Sequence, residues 1–247
     1  MPSSLPKTMR AILCHGPEDY RFEECPVPTL APGEILLRTH SVGICASDLK
    51  CYLGAPLFWG DDHRTGYCQA PVIPGHEFVG EIVDLSPDTA EKQDLALGDQ
   101  VVSEQIVPCQ QCRYCRRGHY WMCQVHDIYG FRQATFGAMA EYVRLPVNAL
   151  NYKVPREIPT AHAAYIEPLA CVASTSEDGA VELWTSTQGH FVARTLLSRL
   201  LKLEMSKFRV TASEIGGGFG GKTTIYHEPA AILLSMKTGR PVRSVMT

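Results

Sequence analysis

Residues 108–123 read Pro108-Cys-Gln-Gln-Cys-Arg-Tyr-Cys-Arg-Arg-Gly-His-Tyr-Trp-Met-Cys123 and carry four cysteines at C-x2-C-x2-C-x7-C spacing. Four sulfurs this close in sequence can surround one tetrahedral zinc ion at about 2.3 Å, whereas disulfides between them would be strained. Four thiolates leave no position for water or substrate, so the spacing predicts a structural zinc held by Cys109, Cys112, Cys115 and Cys123. The alternative interpretation is a turn with four reduced, half-buried thiols.

The composition is that of a globular chain of one or two domains. Its 247 residues include 23 Lys plus Arg and 26 Asp plus Glu, a formal net charge of −3 that favours neither nucleic acid nor an anionic membrane as a partner. No run of about 18 apolar residues predicts a membrane span. Residues 1–10 lack the apolar core of a signal peptide, so we expect a cytoplasmic protein with reduced cysteines. Five further cysteines are interpreted as buried or incidental thiols: Cys14, Cys25, Cys51, Cys68 and Cys171.

Residues 9–42 have the pattern of short β-strands. The strand-like segments at residues 10–14, 20–24 and 34–42 are separated by Pro26, Pro28, Pro32 and Gly33. Short strands between proline and glycine turns predict an antiparallel barrel or sandwich.

A second metal site is predicted from two later segments, Gly43-Ile-Cys45-Ala-Ser47-Asp48 and Pro74-Gly75-His76-Glu77. A cysteine, a histidine and a carboxylate can converge on zinc and leave one position open. A single Cys or His is more often a packed core residue. In a regular strand His76 and Glu77 would point to opposite faces, so both bind one ion only if the backbone bends there. Otherwise Glu77 does not bind the ion itself and instead orients the residues that do.

Six motifs, taken in order, resemble those of the zinc-dependent medium-chain alcohol and polyol dehydrogenases. They are Gly43-Ile-Cys45-Ala-Ser47-Asp48, Gly75-His76-Glu77-x-x-Gly80, Gly98-Asp99-Gln-Val101, the four-cysteine loop, Gly137-Ala-Met-Ala-Glu141-Tyr142 and Ile166-Glu167-Pro168-Leu169-Ala170. The resemblance covers about residues 9–172. Residues 51–60 and 125–130 are most similar to the sorbitol and erythritol/threitol branch. Ser86 departs from the small Gly or Ala usual in the family, with little effect expected on the metal.

This resemblance implies a mainly β, GroES-like barrel that binds two zinc ions, one catalytic and one structural. Cys45, His76 and Glu77 would hold the catalytic ion, with Glu167 near enough to ligate it or orient its water. Ser47 would relay the proton, and Asp48 would fix the ring of His76. The reaction would transfer a hydride from a secondary alcohol or polyol to NAD.

Several of these residues also have simpler interpretations. Ser47 and Asp48 could cap a helix that starts near Leu49, and Glu167 could be an exposed turn residue. The aromatic pair Phe58 and Trp59 could wall the substrate pocket or simply pack in the core.

The segment after Val172 does not continue as a Rossmann domain, the nicotinamide-binding domain of that family. Residues 173–179 are interpreted as a polar, turn-like junction. The glycine cluster at 215–223 matches both a dinucleotide loop and a P-loop with Lys222 and Thr223, yet too little chain follows for either fold. We therefore expect neither nucleotide site to be complete.

Residues 177–247 resemble instead a fragment of the molybdopterin-binding subunit of the xanthine and carbon monoxide dehydrogenase family. The resemblance implies that Gln188 faces the metal and that Phe219 and Gly220 border the metal and pterin. His190 stands where proline is usual, and the rest of that pocket is absent, so molybdopterin is not expected as a cofactor. The pattern of the tail is strand, helix, strand, glycine loop, helix, strand.

Together these features predict a chimeric chain: residues 1–172 form a GroES-like zinc-binding catalytic domain, and residues 173–247 form a small α+β fragment. No complete Rossmann domain is expected, so the chain would be weakly active or inactive alone. Expected partners are a small alcohol or polyol and either a second copy or a chain that supplies the missing domain. The alternatives are a molybdenum hydroxylase fragment that acts in a complex and a non-enzymatic zinc-binding interaction module.

Overall fold

A five-stranded antiparallel sheet forms the centre of the first 164 residues. Its strands lie side by side in the order 142–145, 35–42, 78–85, 100–103 and 151–154. The structure, a computed structural model, describes residues 5–164, 166, 170–212 and 224–245. The strands of this first unit are β1 Thr8–Gly16, β2 Asp19–Pro26, β3 Ile35–Val42, β4 Gly60–Asp61, β5 Arg64–Thr65, β6 Phe78–Leu85, β7 Gln100–Ser103, β8 Ile106–Val107, β9 Asp127–Ile128, β10 Tyr142–Leu145 and β11 Asn151–Val154. Its helices are α1 Ala46–Tyr52, α2 Pro56–Trp59, α3 Pro87–Gln93 and α4 Thr160–Ala163.

The core of this unit lies on the inner face of the five-stranded sheet. It contains apolar side chains that are almost fully buried, among them Ile35, Leu37, Phe78, Ile82, Tyr129 and Leu145. The hairpin β1–β2 joins the sheet through bridges from Ala11 to Ala140 and from Cys14 to Val72. The antiparallel strands expected from residues 10–42 are confirmed, and they belong to a mainly β unit, as the sequence predicts.

An irregularity in the pairing of β3 with β6 bends the sheet beside the candidate ligands. The register shifts between Thr39 and Ser41, and the ladder ends where Val42 faces Phe78. Bulges of this kind re-aim side chains at a sheet edge. Gly75 lies just before this point with φ of +93°, and a Cβ there would stand 2.8 Å from side chains of Met139 and Val42. Only glycine fits, so the chain can turn sharply before His76.

Residues 165–247 form a second unit around a four-stranded sheet. Its strands lie side by side in the order β14 (208–212), β13 (181–185), β12 (170–175) and β15 (242–245). Only β13 and β14 pair in parallel among the described strands. Two helices pack on the sheet and bury Leu183, Leu197, Phe208 and Ile232. The elements are β12 Ala170–Thr175, β13 Val181–Thr185, α5 His190–Leu201, β14 Phe208–Ala212, α6 Glu228–Thr238 and β15 Val242–Val245.

One sequence interpretation of the second unit is corrected. The segment 173–179 is only partly a junction, since Ala173 to Thr175 belong to β12, a central strand that pairs with both β13 and β15. Small polar residues are tolerated there because Cys171 and Ala173 supply the buried face.

The two compact units divide between residues 164 and 165, whereas the sequence places the domain boundary at 172/173. The glycine cluster lies outside the described residues, and Gly239 ends α6 in the left-handed conformation.

No helix among the described residues is long and apolar enough to cross a bilayer.

Truncation of a core side chain on β3 tests this packing. Leu37→Ala should lower the free energy of unfolding by about 3 kcal/mol, because Leu37 is fully buried and the change leaves a cavity. Leu97→Ala is the matched control, since Leu97 is 60% exposed and its loss should cost little. Denaturant titration of both variants measures the difference, and equal costs would contradict the assigned core.

Candidate metal centres

Cys45, His76 and Glu77 meet in a buried cluster in the first unit. Each offers a ligand atom, and these atoms all lie within 4.8 Å of one another. All three residues are at most 3% exposed. The sequence predicts this set from two separate segments, residues 43–48 and 74–77, and the fold brings the three side chains together.

The backbone around the cluster is fixed by hydrogen bonds. Cys45 is the N-cap of α1, and its N–H donates to Asp48 Oδ2 at 2.9 Å. The N–H of Gly43 donates to the carbonyl of Glu77 at 2.7 Å. A Cβ on Gly43 would stand 2.7 Å from Glu77 Oε2, so glycine lets that carboxylate lie against the main chain. The two ligand segments are therefore tied to each other before any ion binds.

The two ring nitrogens of His76 face different partners. Nε2 lies 3.2 Å from Ser47 Oγ, and Nδ1 lies 3.6 Å from Asp48 Oδ1. The second distance exceeds a hydrogen bond, and Nδ1 has no hydrogen-bond partner in the described part of the chain. Asp48 thus stands beside the nitrogen that a ligating histidine usually offers to a carboxylate.

Burial makes the charged forms of this cluster costly. It raises the pKa of the Cys45 thiol to about 11, and it also raises the pKa of Asp48. A cation among these groups would offset that cost, because it favours thiolate and carboxylate. The donor set of one sulfur, one nitrogen and one oxygen suits zinc and leaves a fourth position for another ligand.

The four-cysteine loop forms a second, separate cluster. The sulfurs of Cys109, Cys112, Cys115 and Cys123 all lie within 4.8 Å of one another. Backbone N–H groups point at them, from Cys112 to Cys109 Sγ at 3.4 Å, from Cys115 to Cys112 Sγ at 3.5 Å and from Cys109 to Cys123 Sγ at 3.3 Å. Such bonds favour thiolates, and those from Cys115 and Gln124 lower the pKa of Cys112 to about 6. This set fits a closed, four-sulfur zinc site.

Ser47 and Asp48 lie inside the first turn of α1 rather than before a helix that starts near Leu49. Asp48 nevertheless accepts the N–H of Cys45, so it takes part in capping as well as facing His76. A capping role alone therefore explains the position of Asp48 Oδ2 but not that of Oδ1, which faces His76.

The aromatic residues near the cluster have different roles. Phe58 is buried and packs on Phe131 with ring centroids 4.8 Å apart. Trp59 donates its ring N–H to the carbonyl of Cys51 at 2.6 Å. Sequence reasoning missed Phe131, whose ring lies 5.4 Å from that of His76. No motif marks it, because its position follows from the chain path after β9.

Three of the expected site residues, Glu167, Phe219 and Gly220, lie outside the described residues. Gln188 is exposed between β13 and α5 in the second unit. Conversely, the fold unites Cys14, Cys51 and Cys68, which come from three separate segments with no spacing signature.

Two family profiles match this chain. The profile of the alcohol dehydrogenase GroES-like domain matches residues 31–156, just over half of the 247 residues. The profile of the molybdopterin cofactor-binding domain matches residues 148–247, which contain the second unit.

Individual relatives agree with the first profile. The erythritol/L-threitol dehydrogenase of Mycolicibacterium smegmatis is 56% identical over 171 residues, which are 69% of this chain and 47% of that protein. The sorbitol dehydrogenase of Bombyx mori is 32% identical over 167 residues, 66% of this chain and 43% of that protein. A cobalt- and zinc-bound thermostable alcohol dehydrogenase from Pyrobaculum aerophilum has a similar fold, with a TM-score of 0.52 at 30% identity over 65% of this chain and 45% of the other. The chain thus spans less than half the length of these proteins.

Loss of one loop cysteine should remove the metal from that loop alone. Cys112→Ser is expected to lower the zinc content by one equivalent per chain relative to the unaltered protein, because three thiolates hold zinc less well than four. Elemental analysis after dialysis measures this. Cys25→Ser is the control, since Cys25 belongs to no cluster of ligands in the described residues. Unchanged zinc in Cys112→Ser would contradict the assignment.

Metal binding by the buried cluster should be lost when Cys45 is replaced and only weakened when Asp48 is replaced. Cys45→Ser should abolish metal binding there, whereas Asp48→Asn should weaken it about 10- to 100-fold because the ring of His76 loses its charged partner. Competition with a chelator gives both affinities. Equal affinities in Asp48→Asn and the unaltered chain would show that the carboxylate serves only to cap α1.

Proposed function

Since this chain belongs to the zinc-dependent alcohol dehydrogenase family through its GroES-like domain, we propose that its first unit is the zinc-binding catalytic part of a polyol dehydrogenase. The observation that carries the proposal is the buried convergence of Cys45, His76 and Glu77 beside Ser47 and Asp48. Such a donor set with an open position suits a catalytic rather than a structural metal.

Cys45 Sγ, His76 and Glu77 would hold the catalytic zinc in this proposal, with the four loop cysteines holding a structural one. A zinc ion bound there would supply Lewis acidity, which lowers the pKa of a hydroxyl group. His76 would offer Nε2 to the ion, because Nδ1 faces Asp48. Asp48 would then fix the tautomer and the orientation of the ring.

Ser47 is proposed to move the proton. Its Oγ contacts His76 Nε2, so an ion at that nitrogen would leave the hydroxyl available to a substrate hydroxyl. Ser47 Oγ would accept the proton of the alcohol and pass its own proton outward. Glu167, outside the described residues, remains proposed as a further carboxylate that ligates the zinc or orients its water.

A polyol is the proposed substrate class, by analogy with the erythritol/L-threitol dehydrogenase that is 56% identical to this chain over 171 residues. The hydride acceptor would be NAD. A doubly wound, mostly parallel sheet binds that cofactor in such enzymes, and the described residues contain only one parallel strand pair. We therefore propose that turnover needs a nucleotide-binding domain from another chain or from sequence beyond the part described.

The second unit is proposed as a molybdopterin-domain-like fragment that does not bind the pterin. Its sequence matches the profile of that domain, and Gln188 is solvent exposed. A pterin retained on purification would contradict this proposal and favour the molybdenum hydroxylase alternative.

A domain exchange tests the polyol dehydrogenase proposal. The segment of the Mycolicibacterium smegmatis enzyme that matches this chain would be replaced by the corresponding residues of this chain, so that the relative supplies its own remaining half. Zinc-dependent oxidation of erythritol with NAD is expected. Ser47→Ala in the hybrid should lower kcat by about 100-fold or more through loss of the proton path.

The control is the same hybrid with Cys25→Ser, which should keep full activity because Cys25 lies in no ligand cluster. A folded, zinc-loaded hybrid without alcohol oxidation would contradict the proposed function. Saturable oxidation of erythritol by this chain alone would contradict the need for a separate nucleotide-binding domain.

A further inference from the structure

Three cysteines outside both zinc clusters meet in the first unit. Cys14 lies on β1, Cys51 on α1 and Cys68 in the segment after β5, and their sulfurs all lie within 4.8 Å of one another. Cys14 and Cys51 are at most 1% exposed, and Cys68 is half-buried. We infer that Cys14, Cys51 and Cys68 form a third metal site, which takes a thiophilic cation in three-sulfur coordination.

The spacing of the sulfurs fits such an ion. Metal–sulfur bonds of about 2.3 Å place three sulfurs around one ion about 4.0 Å apart, and the observed limit of 4.8 Å leaves only a small contraction. The same separation is much longer than a disulfide bond of about 2.05 Å, and all ten cysteines are free.

Each of the three ligands is held in place by the fold. The N–H and the carbonyl of Cys14 both bond to Val72, at 2.8 and 3.1 Å. The N–H of Cys68 donates to the carbonyl of Phe58 at 2.8 Å, and Trp59 holds the carbonyl of Cys51. Hydrogen bonds of the main chain therefore hold the three cysteines in place, as a preorganised site requires.

The surroundings exclude water from Cys14 and Cys51, which are at most 1% exposed. Hydrogen bonds with Cys51 and Cys68 lower the pKa of Cys14, whereas contact with Cys14 raises the pKa of Cys51 and of Cys68, so an ion at this site would displace the protons of the last two thiols. Cys51 also packs with Phe58 and Phe131 in an apolar cluster. The half-buried Cys68 supplies the side from which an ion can enter.

The number and type of ligands select the ion. No histidine, carboxylate or fourth cysteine joins the trio within the described residues. Structural zinc almost always takes four ligands, whereas soft thiolates also bind Cu(I), which is stable with three. Cu(I) is thus the best match for this site, and the zinc ions keep the two clusters described above.

The test begins with the full chain loaded with zinc and kept free of oxygen. One equivalent of Cu(I), added with a weak chelator, should remain bound after desalting without any loss of zinc. X-ray absorption at the copper edge should show three sulfur neighbours. Copper that fails to bind, or that displaces zinc one for one, would overturn the proposal.

Variants separate this site from the others. Cys68→Ser should lose the bound copper and keep its zinc, whereas Cys25→Ser, a partly buried thiol outside the trio, should keep both. If Cys68→Ser fails to fold, cadmium-113 NMR of the unaltered chain replaces it: three resonances, two of them at thiolate-rich shifts, support the site, and only two resonances overturn it. A disulfide between any two of the three cysteines in the purified chain would also overturn it.

Discussion

The burial of four ionisable side chains in one cluster is the constraint on which the first unit depends. Cys45, His76, Glu77 and Asp48 are each at most 3% exposed, although three of them can carry a negative charge. Burial of such groups costs free energy unless an opposite charge is near. These groups are nevertheless held in place by backbone hydrogen bonds, by Gly75 in the left-handed conformation and by a bulge in β3. A divalent ion accounts for this arrangement better than core packing does.

The two zinc-type clusters differ in a way that matches their chemistry. The loop of residues 109–123 supplies four sulfurs from one short segment, with main-chain N–H groups directed at them. The buried cluster instead combines sulfur, nitrogen and oxygen from two segments that the sheet brings together. A short loop can saturate an ion by itself and so stabilise local structure. A site assembled from separate elements can leave one position open, as catalysis needs.

The second unit differs from the first in its resemblance, because its sequence matches the profile of a molybdopterin cofactor-binding domain. Its four strands and two helices have their own core around Leu183, Leu197 and Phe208, and Gln188 lies at its surface. A small unit with a core can be retained for packing alone. Among the strands described in this unit, β13 and β14 pair in parallel and the other pairs are antiparallel.

The sequence by itself determined the features whose cause is local: the early strands and the spacing that brings the four loop sulfurs together. It also supplied the residue types that meet at Cys45, His76 and Glu77. Local spacing and turn residues were sufficient for the strands and the loop, because short-range geometry decides which sulfurs can come together and where a strand ends. Tertiary structure alone decided that β12 is a central strand, that Phe131 lies against His76 and that Cys14, Cys51 and Cys68 meet. These contacts join segments far apart in the chain, and their geometry follows from sheet register and packing, which no short pattern records.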